Sequence, residues 1–257
     1  NYLDRNFFHS YLRKKLPTKN NKISKLDKSL KKRIIESSMA IHFETRMINL
    51  QQVRYIDQLK ISYSAIPKNG HTNIMIILNE IVKSNLNNLK AIRRFGRIEN
   101  GLFDIEMHYN IFKSFKFTFV RNPFSRSLSM YRYMFENKHS FYTNKKEGFL
   151  DFLHFLKSGG IHINSHFMRQ TDLIFFDINE LDFVGKLETF SDDFLTMSKK
   201  ANILLSNEVL HLINNRKNTN HVTFSDKHLN NYYTDEARKI VLELYNEDFV
   251  NFGYPFS

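Results

Sequence analysis

Two short stretches carry residue types suited to holding an anionic group. The first is Pro67-Lys68-Asn69-Gly70-His71-Thr72-Asn73. Lys68 supplies a full positive charge, Gly70 lets the backbone come close to a ligand, and Thr72 and Asn73 place side-chain donors where a helix would begin. A helix N-terminus offers unbonded N–H groups and the positive end of its dipole, so this stretch is a candidate phosphate loop. It is not a Walker A loop, since GxxxxGK followed by Ser or Thr is absent, and ordinary ATP or GTP hydrolysis is disfavoured. The second stretch runs from Arg121 to Ser129 (RNPFSRSLS). An arginine grips a phosphate through two parallel hydrogen bonds, and a serine two helical turns on can converge on the same group. Each stretch alone also fits a plainer reading, a capped surface turn in the first case and a structural ion pair with a surface serine in the second. Together they describe one site.

Such a site needs elements to carry it. Residues 61–66 (ISYSAI) alternate and stop at Pro67, as a strand does. From Thr72 onward Ile74, Ile77, Leu78, Ile81 and Val82 recur at the spacing of one amphipathic helix stripe. The same order recurs at residues 115–120 (FKFTFV), followed by Pro123 in a first helical turn and by Phe124, Leu128, Tyr131 and Phe135 as a buried stripe. Two strand-to-helix turns of this kind imply a parallel sheet, and the carboxyl end of such a sheet is where open α/β folds bind ligands. Apolar runs at 173–176 and 183–184 are candidate further strands, while 150–156 and 194–205 read as helical. Thr234-Asp235-Glu236 caps a C-terminal helix with Ile240, Val241, Leu244 and Tyr245 on one face. The expected fold class is α/β in three layers: a central parallel sheet of four or five strands flanked by helices.

Composition narrows the partner. With 257 residues, 42% of them hydrophobic, the chain can build one large domain. Only 8 Gly and 4 Pro punctuate it and no repeat or linker divides it, so residues 60–257 are read as a single domain. Residues 1–59 are read as a basic, largely helical N-terminal region packed on or beside that core. Within it the Lys-rich stretch 11–33 is a solvated arm or a guide for an anionic acceptor. Thirty-eight Lys and Arg against 26 Asp and Glu leave a net charge of +12, which favours an anionic partner: nucleic acid, acidic polysaccharide, membrane surface or phosphorylated cofactor. The absence of cysteine excludes disulfides, thiolate metal sites and a cysteine nucleophile, and fits a reducing cytoplasm. No apolar run approaches the ~18 residues of a membrane span and no secretory signal is evident. Stable membrane insertion is therefore not expected of this chain, although its first residue, Asn1, leaves room for an upstream anchor.

Taken in order, these residues resemble a known family, the carbohydrate sulfotransferases of the Golgi type and their bacterial relatives (sulfotransferase family 2). Residues 66–73 (IPKNGHTN) are similar to its strand-ending Pro-Lys-x-Gly-x-Ser/Thr element, which binds the 5′-phosphosulfate of 3′-phosphoadenosine 5′-phosphosulfate (PAPS). Residues 119–131 (FVRNPFSRSLSMY) are similar to its 3′-phosphate element, Val-Arg-Asp/Glu/Asn-Pro-x-x-Arg-x-x-Ser-x-Tyr. Residues 182–188 (DFVGKLE) resemble its Asp-Phe-Ile/Val-Gly-Lys-x-Glu strand, and 244–254 its final helix. The likeness covers about residues 60–257. It implies a P-loop-NTPase-like sulfotransferase fold and transfer of a sulfuryl group from PAPS to a glycan hydroxyl, leaving 3′-phosphoadenosine 5′-phosphate (PAP). Pro67, Lys68, Asn69, Gly70, His71, Thr72 and Asn73 are then expected to hold the 5′ end, and Arg121 with Ser129 the 3′-phosphate. The basic loop Arg216-Lys217-Asn218 lies where relatives close a loop over that phosphate.

Chemistry of this kind needs in-line geometry and neutralised charge on the leaving oxygen, a task for Lys68, and a general base for the acceptor. His108, just ahead of the 115–120 strand, lies where some relatives place a catalytic histidine and is the preferred base. His166, in a segment expected to be more remote, resembles a His-Trp element with Phe167 in place of Trp and is the second candidate. His71, Glu106 and Glu188 are outside candidates. No metal is expected. The acceptor is expected to be an anionic, glycosaminoglycan-like polysaccharide rather than nucleic acid. Golgi members carry an anchor, N-glycosylation sequons and several cysteines, none of which this chain shows, so a bacterial cytoplasmic protein is expected, with a Golgi-lumen protein shorn of its anchor as the alternative. A nucleotide kinase or a non-enzymatic polyanion-binding module are the competing functions.

Overall fold

The computed structural model describes residues 52–86, 110–133, 145–215 and 225–256. All of them belong to the unit formed by residues 41–257. The elements are β1 (Val53–Ile56), β2 (Ile61–Ser64), α1 (His71–Leu86), β3 (Phe115–Val120), α2 (Pro123–Tyr131), α3 (Lys145–Lys157), α4 (Gln170–Leu173), β4 (Phe183–Lys186), α5 (Phe190–Lys200), α6 (Asn207–Asn214), α7 (Ser225–Tyr232), α8 (Asp235–Leu244) and α9 (Asn246–Phe252).

The four strands form one sheet in the order β1-β2-β3-β4. β2, β3 and β4 run parallel, as the two strand-to-helix turns require, with Ser64 opposite Thr118 and Val120 opposite Lys186. That register brings the ends of all three strands to one edge. Pro67, Arg121 and Glu188 therefore leave the sheet side by side.

The sheet also takes in β1, ahead of residue 60, as an antiparallel edge strand pairing Ile56 with Ile61. Lys60 closes that hairpin in the left-handed conformation, φ 51°. Asp57 holds it shut by accepting from Lys60 Nζ at 2.6 Å and from the Tyr55 hydroxyl at 2.7 Å.

Helices cover both faces. One apolar core packs Ile74, Ile77, Leu78, Ile81 and Val82 of α1, with α5 and α6, against Tyr63, Phe117 and Phe119. The other joins α2, α3, α8 and α9 to Ile66 and Val120. This is the expected three-layer α/β arrangement, and burial of the α1 stripe is the main reason that helix forms. Gly185 is required by close approach, because a Cβ there would lie 2.5 Å from Cε1 of Phe119.

Two sequence expectations change. Residues 173–176 form no strand: Leu173 ends α4, and the run is buried as irregular chain at the edge of the core. A short apolar run reports burial, and periodicity cannot tell it from a strand. α2 was expected to bury one stripe, yet all of its residues are buried. Its serines make this possible by bonding locally, Ser127 Oγ to Pro123 O at 2.8 Å and Ser125 Oγ to Asn122 O at 3.2 Å. Phe135 lies outside the described residues, as do residues 11–33 and all of 1–59 except 52–59. No helix among the described residues is long and apolar enough to cross a membrane.

Candidate active site

The turn from β2 to α1 is built around two left-handed residues, Lys68 at φ 71° and Gly70 at φ 75°. Glycine takes that conformation without penalty. At Gly70 a Cβ would in addition meet Leu187 Cδ1 at 2.7 Å. Lysine does not enter it freely, so the surroundings must hold Lys68 there. Three interactions do so. Arg121 NH1 donates to Lys68 O at 3.3 Å, Arg126 Nε donates to Pro67 O at 3.3 Å, and the wholly buried Asn69 donates to Phe119 O at 2.9 Å. With its carbonyls turned to these cations, the loop leads into α1, whose first internal bond is Ile74 N to Gly70 O. The first-turn amides ahead of that bond point out of the helix end. Amides of this kind, within five residues of Lys68 in the chain, are donors suited to an anion.

Gln170, at the start of α4, ties this loop to the second one. Its Oε1 accepts from Asn69 Nδ2 at 2.6 Å and from Arg121 N at 2.8 Å, and its Nε2 donates to Arg121 O at 2.8 Å. Gln170 is in turn fixed by Asp248 of α9, which accepts from the main-chain N–H of Gln170 and Thr171, each at 2.8 Å. The two strand-to-helix turns are thus one hydrogen-bonded unit. Arg121 Nε donates to Ser125 Oγ at 2.9 Å, so its guanidinium runs along the face of α2 that carries Ser129 one turn further on. Asn122 caps α2 by accepting from Phe124 N at 2.9 Å, with Pro123 in the first turn.

Arg126 is 1% exposed and donates to three main-chain carbonyls: Pro67, Met168 at 2.9 Å and His166 at 3.3 Å. It is the post that carries both the turn after β2 and the segment bearing His166. The sequence expectation that His166 comes from a remote segment is therefore corrected. Its ring stacks on that of Tyr133, and the Lys68 ammonium also lies over the Tyr133 ring, 3.9 Å from its centroid.

Asn164 fixes the state of that ring. Its Oδ1 accepts from the main-chain N–H of His166 at 3.0 Å and lies 2.9 Å from His166 Nδ1. An atom that accepts from an amide is the oxygen, so Nδ1 is the protonated nitrogen and Nε2 keeps its lone pair. Burial, then Lys68 and Arg126, push the imidazole below the usual histidine range. Burial also pushes the Lys68 ammonium down to about 8, helped by Arg121 and Arg126. Two arginines and a partly buried lysine in one place form a positively charged site that an incoming anion would relieve.

The remaining candidates divide. His71 stacks on the buried Tyr63 ring at 5.9 Å, Asn73 is buried, and Thr72 is exposed at the first turn of α1. Glu188 accepts from Asn122 N at 2.8 Å and from the Tyr254 hydroxyl at 2.9 Å, so both of its oxygens are engaged in fixing the Arg121 turn. His108, Glu106, Arg216, Lys217 and Asn218 lie outside the described residues. Among the described residues no group of three or more His, Asp or Glu side chains is gathered to hold a metal ion. Gln170, Asn164 and Tyr133 were not singled out from the sequence. Arg126 stood inside the Arg121–Ser129 element, and its match to the second arginine of the Val-Arg-Asp/Glu/Asn-Pro-x-x-Arg-x-x-Ser-x-Tyr pattern was the available signal.

The chain belongs to the sulfotransferase family, whose model matches residues 51–255. It is also similar to human carbohydrate sulfotransferase 9, at 23% identity over 261 residues, which is 84% of this chain and 56% of that protein. The chain thus spans a little over half the length of that relative. No solved structure matches it.

Proposed function

We propose that this protein transfers the sulfuryl group of PAPS to a hydroxyl of a carbohydrate, through Lys68, Arg121 and His166. The observation that carries this reading is the Asn69–Gln170–Arg121 bridge, which locks two anion-binding turns together at one sheet edge. The residues suit the two ends of the nucleotide. The left-handed loop 67–73 and Lys68 suit its 5′-phosphosulfate, and Arg121 with Ser129 suits its 3′-phosphate. The donor brings an already activated sulfur, so the protein's own work is to orient, neutralise charge and accept a proton.

In the transfer a bond forms between the acceptor oxygen and sulfur while the bond from sulfur to the 5′-phosphate oxygen breaks. His166 Nε2, with its lone pair free of the Asn164 contact, takes the acceptor's proton. Lys68 meets the charge that develops on the leaving oxygen, where a positioned cation does most for the transition state. The family match and the human carbohydrate sulfotransferase support the reaction class and a sugar acceptor. The net charge of +12 supports an acidic polysaccharide.

Thermal-shift titration tests the reading. PAP should raise the unfolding temperature far more than ATP, and a response to polyanions alone would make the protein a charge-driven binder. In transfer assays with sulfate-labelled PAPS, Lys68→Ala should lower kcat more than it weakens PAP binding. His166→Ala should leave PAP binding intact and lower turnover by the ~10²–10⁴-fold typical of a lost general base. Full turnover in His166→Ala, with loss in His108→Ala, would transfer that role to His108.

A further inference from the structure

Tyr133 lies two residues beyond the end of α2 and belongs to neither anion-binding turn. Its ring nevertheless meets both side chains given reactive roles above. The Lys68 ammonium lies 3.9 Å from the ring centroid. The His166 imidazole lies parallel to the ring, with 4° between the planes and 6.2 Å between the centroids. A cation over an aromatic face is drawn to the ring quadrupole, and a stacked imidazole loses freedom to tilt. Asn164 already fixes the rotation of His166 through Nδ1. The left-handed backbone at Lys68 fixes where its stem begins. A lysine stem has four rotatable bonds, so its ammonium needs a second point of restraint, and the Tyr133 face is placed to give one.

We propose that Tyr133 is a positioning residue for sulfuryl transfer: one aromatic ring holds the Lys68 ammonium and the His166 imidazole at a fixed separation. This rests on the roles proposed above for those two groups. In-line transfer punishes small errors of placement between base, reacting centre and leaving oxygen. A shared ring keeps the two ends in register. The ring face makes both contacts, so phenylalanine should serve and an aliphatic residue should not.

The experiment compares Tyr133→Phe and Tyr133→Leu in the full chain. Tyr133→Phe should keep kcat within about twofold of wild type, while Tyr133→Leu should lose about 3- to 30-fold, the range of a cation–π contact converted to a rate. KM for PAPS should move less than kcat, because arginine and backbone contacts to the nucleotide remain. In a Lys68→Ala background the cost of Tyr133→Leu should shrink, because only its contact with His166 is left to lose, as for any two coupled groups. Independently of activity, the His166 ring-proton NMR signals should move in Tyr133→Leu and stay near their places in Tyr133→Phe. Wild-type kcat in Tyr133→Leu, equal loss in both variants, or an undiminished cost in the Lys68→Ala background would each overturn the proposal. Should Tyr133→Leu fail to fold, Tyr133→Met replaces it under the same criteria. A wild-type protein that neither binds PAP nor transfers sulfate would instead overturn the functional reading beneath. An active protein sensitive to Lys68→Ala and His166→Ala, but not to Tyr133→Leu, overturns the role of Tyr133 alone.

Discussion

Raising the pH from 7 to 9 should lower kcat/KM for the sulfate donor about tenfold. The perturbed group is Lys68, whose ammonium is pushed down to about 8 chiefly by burial and then by Arg121 and Arg126. With that value about 90% of the molecules carry the charge at pH 7 and about 10% at pH 9, and the ratio gives the tenfold fall. Because kcat/KM reports the free enzyme, the limb belongs to the empty loop. A seated anion favours the charged form, so the corresponding limb of kcat should lie at higher pH. On the acid side the base must be neutral. Burial, Lys68 and Arg126 hold His166 below its ordinary range, so the acid limb should fall below about 6.5. Initial rates at limiting donor and saturating acceptor, taken from acid to alkaline pH, measure both limbs. Lys68→Arg should remove the alkaline limb whatever its effect on rate, since a guanidinium keeps its charge throughout. A flat profile from neutral to pH 9, or an alkaline limb unchanged in Lys68→Arg, would refute the assignment. The same shift has a folding consequence with a definite sign. Above about 8 the unfolded chain holds the Lys68 proton more tightly than the folded one, so this group makes stability rise with pH toward 10.5.

Three further outcomes follow from the geometry. Arg121→Ala removes a charge-assisted contact worth ~1.5–3 kcal/mol, so PAP affinity by calorimetry should fall at least about tenfold in a protein that still folds. Arg126→Met removes the donor from the buried carbonyl of Met168 and from the half-buried carbonyls of Pro67 and His166. It should cost about 3 kcal/mol or more of folding stability in denaturant titration, and a loss below about 1 kcal/mol would show that these bonds carry little. Gly70→Ala must place a Cβ 2.7 Å from Leu187 Cδ1 at a φ of 75°. A cost of about 1–3 kcal/mol, accompanied by weaker PAP binding, is expected, and PAP affinity equal to wild type would mean the loop tolerates a different backbone.

Much of this architecture is written locally in the chain. The stripe from Ile74 to Val82 and the capped start at Thr234 reappear as α1 and α8, the latter with Thr234 accepting from Ala237 N at 3.1 Å. Helix periodicity and caps involve residues within one or two turns of each other, so a linear reading reaches them. The hairpin of β1 escaped because Val53–Ile56 is a four-residue strand whose identity depends on pairing with Ile61–Ser64. The run at 173–176 misled for the converse reason, since burial on irregular chain leaves the same apolar signature as a strand.

The site divides along the same line. Sequence by itself determined that Lys68 and Gly70 follow one strand and Arg121 another, and that a parallel sheet would bring those turns to a common edge. Those are consequences of short-range order and of chain connectivity. Tertiary structure alone decided how the turns are joined, because Asn69 meets Gln170 across 101 positions and Gln170 meets Asp248 across 78. It also decided that the Tyr133 ring meets both His166 and Lys68, with the His166 tautomer set by Asn164. A buried amide or guanidinium must find partners wherever the packed chain supplies them. The partners are therefore fixed by the fold and leave no spacing in the sequence by which to foresee them.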